Sequence, residues 1–138
     1  MLRRAVIKHL MNVIPSLGGR VYQAFLAPPN AERPYATVKI SAPRGSPSIS
    51  YAGDQPVEVR IYDEPASFIV LDNIETAVID ALHGVDIADL DTGEKYHLRW
   101  RPDGGIDYDD EERKLICRLI FFEAALLIEP GGGNPEGS

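Results

Sequence analysis

An Asp-Thr-Gly tripeptide at residues 91–93 is the segment of this chain that matches a catalytic motif. Aspartic proteases use this tripeptide, and they pair two carboxylates that share one proton in order to activate water. In a homodimer, a second copy of Asp91 would complete such a pair. Glu94 and Lys95 follow at once, however, and no later hydrophobic-Gly segment supports a protease site. The tripeptide is also good turn chemistry between two strands, so a small aspartic-protease-like enzyme using Asp91 is a remote alternative.

A second candidate is the acidic, turn-rich stretch that begins at Pro102. Calcium loops of the EF-hand type need acidic residues at alternating positions, a central glycine and a closing glutamate. Asp107 and Asp109 provide the first step of this pattern, but no glycine follows where the loop must bend. We therefore predict a hairpin tip without a metal, whose acidic residues are Asp107, Asp109, Asp110, Glu111 and Glu112.

The other reactive side chains are isolated along the chain. His9, His83 and His97 belong to no ligand or triad pattern, and Cys117 lies on a strand rich in Leu and Phe, where a small core residue is expected. The sequence contains no Gly-rich phosphate loop, nucleophile elbow or Cys/His metal spacing. It thus predicts no catalytic residues, no metal and no cofactor, and we expect a protein that is not an enzyme.

Composition limits the class of protein further. The length of 138 residues favours one domain, and we assign residues 1–129 to a single α+β domain and residues 130–138 to a flexible Gly/Pro-rich tail. The net charge of −7 argues against a partner bound mainly through its phosphates. The single cysteine fits a reducing compartment. No stretch approaches the roughly 20 apolar residues of a membrane span, so we expect a soluble, cytoplasmic chain without a membrane partner.

The segment from Pro65 to His83 is the element around which the fold is organised. Pro65 suits a first helical position, and Gly84 suits the residue that ends a helix. Between them, apolar residues recur at intervals of three and four and form one broad stripe: Phe68, Leu71, Ile74, Val78 and Leu82. This pattern predicts a helix that lies on a sheet.

The remaining elements are a first helix and several alternating segments. Residues 2–14 predict an amphipathic helix that ends at Pro15, and strands are predicted at 20–26, 35–41, 57–62, 96–101 and from about 113 to 128. The last strand is apolar on both faces, which predicts that both faces are covered. The order of elements lacks strict βαβ alternation. It favours an α+β fold with a mainly antiparallel sheet of about four to five strands packed by two helices.

A long connection separates the strands at 35–41 and 57–62. Loops of about fifteen residues inside a compact domain are uncommon and are usually functional or disordered. This one contains Ile49 and Tyr51 as apolar anchors among Pro, Gly and Ser residues. We expect it to be ordered by contact with another molecule.

The order and spacing of these segments resemble the tail-terminator or tail-completion proteins of long-tailed bacteriophages and prophages. The resemblance covers nearly the whole chain, from about residue 2 to residue 127. It rests on an N-terminal amphipathic helix followed by these segments: Gly19-Arg20-Val21-Tyr22, Arg33-Pro34-Tyr35, Val57-Glu58-Val59-Arg60-Ile61-Tyr62, the helix that ends at Gly84, and the strand Leu115–Glu123.

The resemblance implies a virion protein of the tail or neck that is assembled in the host cytoplasm. Such a protein forms a homo-oligomeric ring, typically a hexamer, which caps the finished tail tube and joins it to the head-tail connector. Its partners would be other copies of itself, the tail tube protein and the connector or head-completion protein, while DNA passes through the lumen without specific binding. A head-completion or neck connector protein on the portal side is the alternative within the same class.

Two surfaces follow from this resemblance and from the residues. The acidic tip would line the lumen and repel the phosphates of passing DNA. The contact with the tail tube or with a neighbouring subunit is predicted at five residues: Arg44, Ser46, Ile49, Tyr51 and Ile69.

Overall fold

The computed structural model describes residues 1–41, 55–65, 68–112 and 114–128. Over this part of the chain the order of elements is α1 (Leu2–Val13), β1 (Val21–Gln23), β2 (Tyr35–Ile40), β3 (Gln55–Asp63), α2 (Ile69–Leu82), β4 (Val85–Ala88), β5 (Lys95–Asp110) and β6 (Leu115–Ile128). A short 3₁₀ turn at Pro15–Leu17 follows α1. The long connection and the C-terminal tail lie outside the described residues.

The strands form one curled, mixed sheet in the order β1-β2-β3-β6-β5-β4. The expectation of a mainly antiparallel sheet of about four to five strands is therefore wrong. The described residues alone contain six strands, and β1 runs parallel to β2. The additional strand is β4, which has only four residues and is too short to show a clear alternating pattern. The strand β1 is at the predicted place but occupies only three of the seven residues predicted for it.

The curl of the sheet is evident from the position of α1. This helix contacts β1 and β2 at one edge of the sheet and β4 at the opposite edge. It therefore bridges the two edges, while α2 lies against β3, β5 and β6 inside the curve. Both helices pack on the same face of the sheet.

The second helix begins later than the sequence predicts. Its first residue is Ile69 rather than Pro65, and Phe68 precedes it as the N-cap. Its end agrees with the prediction, because Gly84 has φ +70°, a conformation that glycine adopts without strain. Four residues of the predicted stripe are buried, namely Leu71, Ile74, Val78 and Leu82.

The main core lies between the helices and one face of the sheet. Val57, Val59 and Ile61 of β3 face the helices, and Ile120 and Phe122 of β6 lie beside them in register. The opposite face has a smaller cluster, in which Tyr35, Tyr62, Leu115 and Cys117 are buried with Ala31. The second face of β6 is therefore covered in part by the chain itself, through the segment between β1 and β2.

The strand β5 is far longer than predicted. It continues through Pro102 and the two glycines to Asp110, so the segment expected to be a hairpin tip is mostly strand. An irregularity lies between Arg101, which pairs with Phe121, and Ile106, which pairs with Leu119. Extra residues of this kind bend a strand, and they change which of the following residues face each side of the sheet.

None of the helices in the described part of the chain is long and apolar enough to cross a membrane.

Candidate functional site

The acidic segment lies along β5 rather than in a loop. Asp107, Asp109 and Asp110 belong to the strand, and only Glu111 and Glu112 occupy the turn that follows. Register with β6 places Asp107 beside Arg118 and Asp109 beside Ile116, on the face that carries the helices. Asp110 pairs with Leu115 on the opposite face. The predicted residues are thus close in space, but their side chains point to both faces of the sheet.

Asp107 is not available as a free surface charge. Its carboxylate accepts two hydrogen bonds from the Arg118 guanidinium, at 2.5 Å from Nε and 3.0 Å from Nη2. The Arg118 side chain also donates to Asp72 and, at 3.0 Å, to Glu75 of α2. The pKa of Arg118 is raised, first by its bond to Asp107. This arginine therefore ties α2 to the hairpin of β5 and β6.

Arg118 is a structural residue that the sequence analysis missed. Its side chain is only 12% exposed and its guanidinium lies 5.9 Å from the ring centroid of Phe68. The sequence feature that could have identified Arg118 is a charged residue in the middle of an otherwise apolar strand, because a buried arginine requires carboxylate partners.

A cluster of tyrosines lies on the opposite face of the sheet. The rings of Tyr35 and Tyr62 stack at 4.8 Å, and Tyr108 accepts a hydrogen bond from Arg60 at 3.1 Å. Cys117 is fully buried here, and burial raises the pKa of its thiol. A neutral, enclosed thiol is a poor nucleophile, which agrees with the predicted role as a small core residue.

Of the five predicted contact residues, only Ile69 lies in the described part of the chain. Ile69 is 68% exposed at the start of α2, where Phe68 and Val70 are exposed as well. This small apolar patch is larger than the single isoleucine that the sequence indicated. Arg44, Ser46, Ile49 and Tyr51 lie outside the described residues.

The Asp-Thr-Gly tripeptide belongs to a turn between β4 and β5. Gly93 has φ +82° and its amide donates to the Asp89 carbonyl at 2.8 Å. Asp91 is exposed and lies 3.6 Å from Arg4 and 3.9 Å from Lys8. The predicted turn role of this tripeptide is therefore confirmed.

The neighbouring Asp89 is the buried acid of this turn. Its Oδ2 accepts from Arg4 Nη2 at 2.7 Å and also from the Met1 ammonium, and its Oδ1 accepts from the Asp91 amide at 3.0 Å. These bonds, that of the Met1 ammonium first, lower the pKa of Asp89 well below its ordinary value. The arrangement fastens the start of α1 to the turn.

Each histidine has a nearby partner rather than standing alone. His9 Nε2 lies 2.9 Å from the Ala81 carbonyl, His83 Nδ1 accepts from the Trp100 amide at 3.0 Å, and His97 Nδ1 lies 2.6 Å from Asp86. Within the described ranges, no group of three His, Cys, Asp or Glu side chains is arranged to hold a metal ion.

Comparison with known proteins bears on the fold. No protein-family model matches the chain, and no curated protein matches it. Among solved structures, a chain in the virion of the native gene transfer agent (GTA) particle has the same fold. The two structures superimpose with a TM-score of 0.64 over 91% of this chain and 93% of that chain, at 20% sequence identity. At this identity, the likeness establishes the fold.

Proposed function

We propose that this protein is a structural component of a virion of the bacteriophage type. The observation that carries the proposal is the fold shared with a chain of the gene transfer agent virion, which is a phage-like particle. The likeness spans almost all of both chains, so it concerns the whole domain rather than a local motif. The resemblance to tail-completion proteins, which rests on the order of sequence segments, supports the same class.

Within this class, the proposed role is that of a tail terminator. Copies of the chain form a ring that ends growth of the tail tube and presents a docking surface to the head connector, while DNA passes through the lumen. The mechanism is geometric and needs no catalytic group. The exposed apolar patch at Phe68, Ile69 and Val70 supports assembly, because apolar side chains that neighbour one another at a surface commonly mark a contact with another protein.

The proposal predicts that the purified protein is a ring in solution. Native mass spectrometry should give a mass about six times the 15.2 kDa of one chain, and negative-stain images should show rings with a central opening. A single-chain mass at every concentration tested would contradict the proposed ring.

A further inference from the structure

The outer edge of β5 is paired over only the first part of its length. On the inner side, β6 pairs with β5 both before and after the irregularity. On the outer side, β4 pairs with Lys95–Leu98, and the amide of Trp100 then donates to His83 Nδ1 at 3.0 Å. Among the strands of the described residues, none pairs with the outer side of Ile106–Asp109. We call this stretch the open edge.

The open edge presents backbone N–H and C=O groups that another extended chain can pair in a row. Edge strands are often protected from such pairing by proline, by an irregularity or by charged side chains. In β5, Pro102 and the irregularity precede the open edge, and the carboxylate of Asp107 is bound by Arg118. Asp109 is the other acidic residue of the stretch, and it is exposed. The backbone of the open edge can therefore accept an added strand.

The side chains of the open edge alternate between apolar and acidic residues. Register places Ile106 beside Leu119 and Tyr108 beside Cys117, on the face opposite the helices. Ile106 is 58% exposed although it is a large apolar residue in the middle of a strand. Side chains that lie opposite each other on neighbouring strands contact one another. An apolar residue on an added strand would thus cover Ile106.

The connection between β2 and β3 contains a segment that matches this pattern. It lies outside the described residues, and its sequence at 48–51 is Ser-Ile-Ser-Tyr. Alternation of apolar and polar residues is typical of a strand with one covered face. In an extended chain, Ile49 and Tyr51 share a face at the same two-residue spacing as Ile106 and Tyr108. Aliphatic and aromatic residues paired across strands stabilise a sheet.

This segment cannot reach the open edge of its own molecule. Register connects Ile106 through Leu119 to Arg60 of β3, so a strand added beside Ile106 lies three strand spacings from β3, or about 14 Å. Arg60 is also five residues from Gln55, where β3 begins, which adds about 17 Å along the strand. These perpendicular displacements combine to roughly 20 Å. Tyr51 is four residues from Gln55 and reaches at most about 14 Å.

We propose that residues 48–51 of one copy add as a strand to the open edge of the next copy, with Ile49 and Tyr51 beside Ile106 and Tyr108. The inference rests on the proposed function and specifies a subunit contact of the ring. Because two different surfaces meet, the contact is heterologous, and heterologous contacts generate rings when the rotation closes. Of the predicted contact residues, Ile49 and Tyr51 thus bind a neighbouring subunit rather than the tail tube.

The open edge of a second copy is the less favoured occupant. Antiparallel pairing of two copies centred on Asp107, Tyr108 or Asp109 would place an aspartate opposite an aspartate. Like charges directly opposite each other destabilise a pair of strands. The segment at 48–51 has serines at the alternate positions, so it meets the open edge without this repulsion.

The test is disulfide crosslinking between two co-expressed variants that carry tags of different size. Disulfides form where two Cα atoms lie about 4.4–6.8 Å apart, a distance that neighbouring strands provide. One variant carries Ile106→Cys and the other carries Ile49→Cys or Tyr51→Cys. Leu90→Cys replaces Ile106→Cys in the control, because Leu90 is an apolar residue that is 92% exposed in the turn after β4. The natural Cys117 is fully buried.

The expected product after mild oxidation is a covalent dimer that contains both tags, at twice the 15.2 kDa of one chain plus the tags. It should form with Ile106→Cys, be lost on reduction and be absent with the Leu90→Cys control and with the wild type. A single chain that carries both Ile106→Cys and Ile49→Cys should give a ladder of covalent multimers. Circular dichroism and thermal unfolding establish that each variant is folded.

Other outcomes would overturn the inference and are distinguishable from one another. Rings without any crosslink through Ile106→Cys would place the subunit contact elsewhere and leave the proposed ring intact. Covalent dimers of Ile106→Cys alone would identify the open edge of a second copy as the occupant. A crosslink that stays within the doubly substituted chain would show that the segment binds its own molecule. A wild-type protein that is a single chain at every concentration, without crosslinks in any variant, would refute the proposed function together with the inference.

Discussion

Arg118 shows how one side chain decides the position of two elements. Its guanidinium lies among Asp72, Glu75 and Asp107, which come from α2 and β5. Three carboxylates this close would repel one another without the cation between them. The start of α2, and with it the exposed patch at Ile69, is therefore oriented by this arginine.

Replacing this cation should cost measurable stability. Arg118→Ala should lower the free energy of unfolding by about 1–2 kcal/mol, less than for a fully buried pair because the carboxylates are partly solvated. Urea unfolding measures the change. The control Lys8→Ala, at an exposed ion pair, should change it by about 0.5 kcal/mol or less. Equal effects from the two substitutions would show that the Arg118 cluster does not hold α2.

Single residues of this kind are only partly predictable from sequence. The apolar residues on both faces of β6 predict that both faces are buried, and this pattern correctly indicates that Cys117 is a core residue. The partners of Arg118 lie 11 to 46 residues away along the chain, so their meeting depends on the register of β5 with β6. Local patterns contain no information about that register.

The position of α1 depends on one turn. Asp89 receives bonds from Arg4 and from the Met1 ammonium, and it also caps the turn through the Asp91 amide. Since α1 bridges both edges of the curled sheet, this attachment contributes to closing the curl.

The Asp89 attachment should make stability depend on pH. Its pKa in the folded protein is lowered, so the ionised carboxylate stabilises the fold above its ordinary pKa of about 3.9. This contribution should be lost progressively as the pH falls below about 4. Asp89→Asn should lower the Tm at pH 7 and reduce the acid dependence. Asp91→Asn, at an exposed neighbour, serves as the control. If the stability of Asp89→Asn fell with decreasing pH as steeply as that of the wild type, the proposed role of Asp89 would be contradicted.

At the scale of elements, long periodic segments are predictable and irregular ones are not. Both helices, β2, β3 and the length of β6 follow from their apolar periodicity and from the residues that end them. The strand β5 was underestimated because Pro102, Gly104 and Gly105 predict a turn. In the fold, an irregularity absorbs these residues and the strand resumes at Ile106. The acidic residues therefore lie on a strand.

The whole molecule carries a net charge of −7. A net charge of this size bears on solubility and on association with partners rather than on the fold.

Deletion of the gene that encodes this protein tests the proposed tail-terminator role most directly. Electron microscopy of the particles should show tails of irregular length without heads, and plasmid-borne wild-type protein should restore uniform, joined particles. Normal particles in the deletion strain, with tails of uniform length attached to heads, would contradict the proposal that this chain ends the tail tube.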